Sequence, residues 1–324
     1  MDFAVVFVFL VSLQTFFRHQ YFDGRYLPAL ALSAYAAGKL VLQAPAGRLT
    51  DRFGVAGAAT LALVAMLLSQ VALILAGGAP EVVLPCAFAY GAASAALWPA
   101  IYAGVTASFV AEKRAPITSA LTVATGAGMA AALALGVALP ASFPFAAAVA
   151  VACAAVALSL PLFAGSEGDA LLPPATDDKR EARGSIDRRV LGAGVVMLAQ
   201  SAAIAGLVSV FREFGRDVLA ISFRTEVLGV AAPGAALVLG IVLAGIAGHR
   251  FGRGALLPPA FLLAGAALLA VGGASDGLSA LVPATFAGLG LGVAMPSTTA
   301  FVMDVSDGAK AGAVFGAVLT FEGL

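Results

Sequence analysis

Charge is scarce in this chain. Asp, Glu, Lys and Arg make up 11% of the 324 residues, where a soluble domain carries about 25%, and the two signs cancel to a formal net charge of zero. Neither a nucleic-acid footprint nor an acidic tail fits that balance. Histidine and cysteine are nearly absent, at two each. Cys86 and Cys153 lie inside apolar runs without a C-x-x-C spacing, and read as small packing residues; His19 and His249 lie in polar breaks without an H-x-x-x-H spacing. No disulfide framework, metal site or catalytic cluster is expected from them. The stretch GKL at Gly38 lacks the upstream glycine and the Ser or Thr of a phosphate-binding loop, so no nucleotide site is expected. The expectation is a chain with no cofactor that is not an enzyme.

What is abundant is hydrocarbon, at 61% of residues, more than one soluble core of this length holds. A run of about 20 apolar residues spans the roughly 30 Å hydrocarbon layer of a bilayer. Such runs follow one another here at about 3 to 17, 27 to 46, 56 to 77, 82 to 108, 116 to 138, 143 to 164, 189 to 211, 226 to 247, 255 to 272, 278 to 303 and 311 to the end. That reads as an all-α polytopic membrane protein with about 11 segments. The first run opens with Asp2 and has no small-x-small pattern before Arg18, so it reads as a membrane helix and not as a cleaved leader.

The basic residues orient the chain, because cytoplasmic loops are enriched in Lys and Arg. With the N-terminus inside, cytoplasmic breaks hold Arg48, Arg52, Lys113, Arg114, Lys179, Arg180, Arg183, Arg188, Arg189, Arg250, Arg253 and Lys310, twelve in all, against five outside and Lys39 within the membrane. The expected location is the cell membrane, inner or plasma, multi-pass, with the N-terminus and central loop cytoplasmic. That loop, GSEGDALLPPATDDKREARGSIDRR, has mixed charge with Pro and Gly and reads as a solvated linker. The expected division is a six-helix bundle over 1–164, a linker over 165–188 and a second bundle over 189–324.

A repeat underlies that division. In APAGRLTDRFG and GIAGHRFGRG, Gly47 aligns with Gly245, Arg52 with Arg250, Phe53 with Phe251 and Gly54 with Gly252, each 198 apart. GAASAALWPA and GLGLGVAMPS align Gly91 with Gly288 and Pro99 with Pro296 at 197, the offset that also places Lys113 on Lys310. Equal-handed repeats about an axis normal to the membrane build one class of secondary transporter. The repeat also predicts a twelfth segment near 340 to 361, beyond Leu324, and a seventh-segment counterpart starting before Met1, so the sequence reads as clipped at both ends.

The pattern G-x-L-x-D-R-x-G after the second segment, its weaker copy after the eighth, the charged central loop and the basic patch after the fourth resemble the major facilitator superfamily. The resemblance covers the whole chain. It implies two six-helix bundles related by a parallel pseudo-twofold, working by alternating access on a small solute, driven by a proton or solute gradient. The other reading is a transporter-like fold that moves nothing, acting as a sensor, assembly partner or inactive fragment. Two departures stand out: the acidic position of the second copy is His249, and the fifth segment has Gly126 and Gly128 but not the glycine-proline run that resembles drug/proton antiporters.

The resemblance also places Asp51 beside the start of the eleventh segment, where a helix N-terminus favours a carboxylate. A conformational latch of Gly47, Arg48, Asp51, Arg52, Gly54 and Glu112, with Arg250 and Gly252 in the second copy, is the expectation; Gly47 and Gly54 are read as needed for a tight turn. Lys39 lies deep in the second segment, where a charge costs about 2.5–3.5 kcal/mol and so faces protein or a wet cavity. Tyr35, Lys39 and Gln43 share a face at four-residue spacing, as do Tyr90, Ser94 and Trp98. With Gln14, Gln200, Thr298 and Glu322, the last as a partner of Lys39 or a proton carrier, Tyr35, Lys39, Tyr90, Ser94 and Trp98 are the candidate cavity residues. The expected partners are a small solute, protons and the lipid bilayer, in a monomer.

Overall fold

The computed structural model describes residues 4, 7–8, 12–13, 16, 27–76, 79–140, 142–161, 191–201, 203, 223–251, 253–305 and 311–323. Among them are eight α-helices: α1 Leu27–Leu75, α2 Pro80–Ser108, α3 Ala111–Ala138, α4 Phe145–Ala157, α5 Phe223–Phe251, α6 Arg253–Gly272, α7 Gly277–Val305 and α8 Ala311–Gly323. A further short apolar helix covers Leu191–Ser201. Strands are absent among the described residues, in line with the all-α reading. The first apolar segment lies mainly, and the central loop wholly, outside the described residues, as does the second half of the seventh segment, so the count of eleven is not reached among them.

Four described helices are long and apolar enough to cross a membrane, at Leu30–Leu75, Glu81–Ser108, Gly254–Gly272 and Ser279–Asp304. The first is 46 residues, about 69 Å at 1.5 Å per residue, more than twice the hydrocarbon layer. It therefore holds two crossings. The second and third apolar segments are joined by helix, and the break is Gly54, with φ 76° and ψ 170°, a left-handed backbone that glycine adopts without a Cβ clash. Gly47 sits inside helical backbone before that break, so no turn demands it; its role comes from packing, described below.

The chain packs as two compact units. The first holds α1, α2, α3 from Ala124 onward, α4 and α8; the second holds α3 up to Val123, the 191–201 helix, α5, α6 and α7. In lipid the hydrophobic effect does not pull helices together, because acyl tails are as apolar as leucine, so cohesion comes from close backbone approach at small residues. In the first unit Gly91 of α2 lies against the Tyr35 carbonyl of α1, and Gly38 of α1 against the Phe88 carbonyl. In the second, Gly288 of α7 lies against the Pro233 carbonyl of α5, and Gly292 against that of Leu237. The same helix pair is built twice at the offsets read from the sequence.

The core of the first unit gathers Phe7, Phe16, Leu63, Met66, Tyr90 and Phe145 from the first segment, α1, α2 and α4. Phe16 and Phe143 meet at 5.5 Å between ring centroids. Outward-facing leucines such as Leu75 and Leu269, more than 80% exposed, are what a lipid-facing surface carries. The start of α7 is set by a reciprocal cap: the Ser279 N–H donates to Asp276 Oδ1 at 2.9 Å, and the Asp276 N–H to Ser279 Oγ at 3.1 Å.

Candidate functional site

The first turn of any helix leaves N–H groups without intrahelical acceptors. At the start of α8 a residue 261 positions earlier in the sequence supplies them. The Gly312 N–H donates to Asp51 Oδ1 and the Ala313 N–H to Asp51 Oδ2, each at 2.9 Å. The carboxylate thus caps another helix, with charge and dipole in favourable sense. Burial pushes the Asp51 carboxyl above its ordinary range, and the hydrogen bonds from Ala313 and Gly312 pull it partly back.

Close approach makes the cap reachable. Gly312-x-x-x-Gly316 of α8 crosses α1 at Gly47, where a Cβ would overlap the Gly312 carbonyl and come within 2.9 Å of the Gly316 α-carbon. The requirement for Gly47 is therefore contact between two backbones. In the second unit the equivalent seam runs between Gly245 of α5 and Ser119 of α3, whose Oγ lies 3.0 Å from where a Gly245 Cβ would stand. Ser119 aligns with Gly316 at 197. The repeat therefore extends to α3 and α8, a match the loop motifs alone do not display.

Arg52 and Arg250, paired by the repeat, make the same local contact: each guanidinium lies over the following phenylalanine ring, at 5.5 and 5.6 Å. Arg48 and Arg52 are exposed. The side chains of Glu112, His249 and Glu322, and residues Gln14 and Gly252, lie outside what the structure describes, as does any Lys39 to Glu322 pair.

The second unit has a charged contact of its own that the sequence reading missed. Arg114 on α3 donates through Nη1 to the Met303 carbonyl at 3.1 Å, and Nη1 stands 3.6 Å from Asp304 Oδ1, at the end of α7. A cation at a helix C-terminus is favoured by the dipole. With Asp304 one-third exposed the ion pair itself contributes little, and the carbonyl bond more. Arg114→Ala is expected to lower the melting temperature of the purified protein by a few degrees, about 1 kcal/mol, with Arg114→Lys in between; equal melting curves for all three would refute the cap.

The polar face of the first unit is where α1 meets α2. The Ser94 hydroxyl and the Tyr35 hydroxyl lie 3.4 Å apart, and the Tyr35 and Tyr90 rings 6.2 Å apart. Ser94 also donates to the Gly91 carbonyl at 2.9 Å. Trp98 stacks on Tyr102 at 5.3 Å, and Tyr102 meets Phe315 of α8 at 5.1 Å. Lys39 is half-buried on the same face of α1 as Tyr35, one turn along. Tyr35, Tyr90 and Ser94 thus come together, and Trp98 is drawn into an aromatic stack reaching α8. Tyr102 continues the series 90, 94, 98 at four-residue spacing and was legible on that ground. In the second unit Gln200 is buried, and the Thr298 hydroxyl donates to the Ala294 carbonyl of its own helix at 2.9 Å.

A cavity of about 580 Å³ opens between α6 and α7, lined by Leu263, Ala267, Val282, Pro283 and Phe286 with Ser275 and Ser279 at one end. No ionisable side chain lines it. It offers a polar solute little to bind, and the polar face of α1 and α2 is the better candidate. Among the described residues no group of three His, Cys, Asp or Glu side chains is placed to hold a metal ion.

Solved structures of similar fold include transporters. The human organic anion transporter MFSD10 (TETRAN) matches at TM-score 0.80 and 15% identity, over 100% of this chain and 87% of that one. The proton:xylose symporter XylE matches at 0.83 and 15%, over 99% and 82%. The E. coli fucose:proton symporter FucP matches at 0.78 and 15%, over 99% and 88%. At such identities the likeness shows the fold. No curated protein matches the sequence. The family model for the Major Facilitator Superfamily matches residues 1–324. With its apolar helices, its repeated motif and this whole-length match, the chain is a multi-pass membrane protein and belongs to the Major Facilitator Superfamily.

Proposed function

We propose that this protein is a gradient-driven secondary transporter that moves a small organic anion or zwitterion by alternating access, with its motif loops, N-terminus and central loop on the cytoplasmic side of the cell membrane. The observation that carries the reading is the Asp51 cap: two hydrogen bonds tie the last helical turn before Gly54 in α1 to the start of α8. A contact across so long a sequence separation, made by a carboxylate whose burial opposes its ionisation, is the kind of contact a latch between two arrangements needs. Gly47 and Gly54 permit the seam and the break beside it.

Lys39 supports the anionic choice. A lysine inside a bilayer-spanning helix is costly unless its charge is used, and here it lies half-buried one turn from Tyr35 and one from Gln43 along α1. One similar fold is that of an organic anion transporter; two others are proton symporters of sugars, which supports proton coupling. The test is uptake by proteoliposomes of a broad panel of labelled anions, zwitterions and sugars under an imposed pH gradient. Accumulation of at least one anion, cut at least tenfold by Lys39→Ala, is expected. No accumulation of any solute would defeat the transport reading.

A further inference from the structure

The repeat provides an internal control for the polar face. The contact of Gly91 with the Tyr35 carbonyl and that of Gly288 with the Pro233 carbonyl are one contact in two copies, which fixes the register of α1 and α2 on α5 and α7. In that register Tyr35, Lys39, Gln43, Tyr90, Ser94 and Trp98 stand where the second copy has Pro233, Leu237, Ile241, Ala287, Leu291 and Met295. Every polar group of the first copy is hydrocarbon or thioether in the second. Ala287, Leu291 and Ile241 are each no more than 2% exposed, so the second copy buries these positions with apolar side chains.

Gln43 makes the comparison decisive. It is 0% exposed, and neither its Nε2 nor its Oε1 has a hydrogen-bond partner. A buried amide with nothing to bond destabilises the state that contains it, whereas an apolar side chain of similar size packs without that cost. Ile241 does so in the other copy. Packing therefore gives no reason for a glutamine here. Its backbone carbonyl also lies against Gly316 of α8, so the residue sits at the seam closed by the Asp51 cap, one turn from Lys39 and two from Tyr35 along one helix face.

We infer that Gln43 contacts the transported solute and sets specificity: its amide offers a donor and an acceptor beside the Lys39 ammonium, matching an organic anion that carries a hydroxyl next to its carboxylate. The equivalent positions of the second copy contribute no hydrogen bond to it. The amide is shut off while α8 lies on α1, so solute meets it after α8 moves away. This rests on the transport reading above.

The test installs the repeat's own residue. Gln43→Ile keeps the packing used by the second copy and removes an unpartnered amide, so its melting temperature without solute is expected to rise above that of the parent protein. Uptake of labelled lactate, malate and gluconate, with propionate and succinate as acids lacking the hydroxyl, is measured in proteoliposomes. For the hydroxy acid carried by the parent protein, Gln43→Ile is expected to raise KM at least tenfold and to erase the preference over the matching plain acid, while Ile241→Gln stays within twofold. Unchanged KM and preference in Gln43→Ile overturn the inference, as does a lower melting temperature, which would mean that the amide is bonded within the protein. If the parent carries other solutes of the broad panel but none of the three hydroxy acids, the substrate class fails while the transport reading stands.

Discussion

Replacing Gly47 with valine is expected to prevent α8 from seating on α1 and to cut uptake at least a hundredfold. A β-carbon at this position runs into the backbone carbonyl of Gly312 and lies 2.9 Å from the Gly316 α-carbon. Neither obstacle is a side-chain tip that can swing aside, so one helix must move away from the other. Overpacking typically costs about 1–3 kcal/mol even where side chains yield, and a hundredfold change corresponds to about 2.7 kcal/mol. Moving α8 away also carries the Gly312 and Ala313 N–H groups beyond the reach of Asp51. Gly126→Ala is the matched control, since a Cβ there meets nothing within 4 Å and alanine favours helix over glycine by about 1 kcal/mol. Wild-type uptake by Gly47→Val in protein that folds and reaches the membrane would contradict the close-packed seam.

Asp51→Ala is the second large effect, expected to lower uptake at least tenfold and to leave α8 undocked. Two partly buried N–H donors lose their acceptor, at roughly 1–3 kcal/mol each, and the helix start loses a compensating charge. Reaction of a cysteine placed at Thr50, which is fully buried against Gly312, with a membrane-impermeant thiol reagent reads out docking directly, and should be slow with Asp51 present and fast without it. The pH dependence has a definite sign. Burial holds the Asp51 carboxyl above its ordinary range, against the two hydrogen bonds, so the docked arrangement binds a proton more tightly than one in which the carboxyl is wet. By linkage the docked arrangement gains as pH falls through the raised carboxylate range and is weakest, though still present, once the group is fully ionised. Cysteine labelling, taken as the ratio of the rate with Asp51 to that in Asp51→Asn so that the thiol's own slowing at low pH cancels, should therefore fall on acidification. A profile that runs the other way would reject burial as the dominant influence on this carboxyl.

Much of the fold was legible because a bilayer leaves few alternatives. Helix boundaries read from length and Gly/Pro punctuation fall within a few residues of α2, α6, α7 and α8. The join across residues 47–54 was not legible: a short polar stretch bounded by two glycines reads as a turn, but the backbone stays helical until Gly54, where the positive φ falls. At the candidate site, spacing put Tyr90, Ser94 and Trp98 on one face, and the hydroxyl and ring contacts of Tyr35 with Ser94 and Tyr90 agree with that grouping. Arg114 and Asp304 were opaque, being 190 positions apart and ordinary loop charges in any linear reading.

The sequence by itself determined that the chain is helical, that it belongs in lipid and that it repeats at 197 and 198 residues, because hydrophobic length, loop glycines and recurring motifs are properties of the chain read in order. Only the tertiary structure decided that the Asp51 oxygens accept from the Gly312 and Ala313 N–H groups in particular, that Gly47 serves a backbone contact and that Gln43 is buried beside it with its amide unanswered. Those facts depend on which helix crosses which at sub-ångström tolerance. Between apolar helices in an apolar solvent the hydrophobic pattern does not choose the neighbour; the fit of small residues and the few available hydrogen bonds do, and that fit exists only once the helices have met.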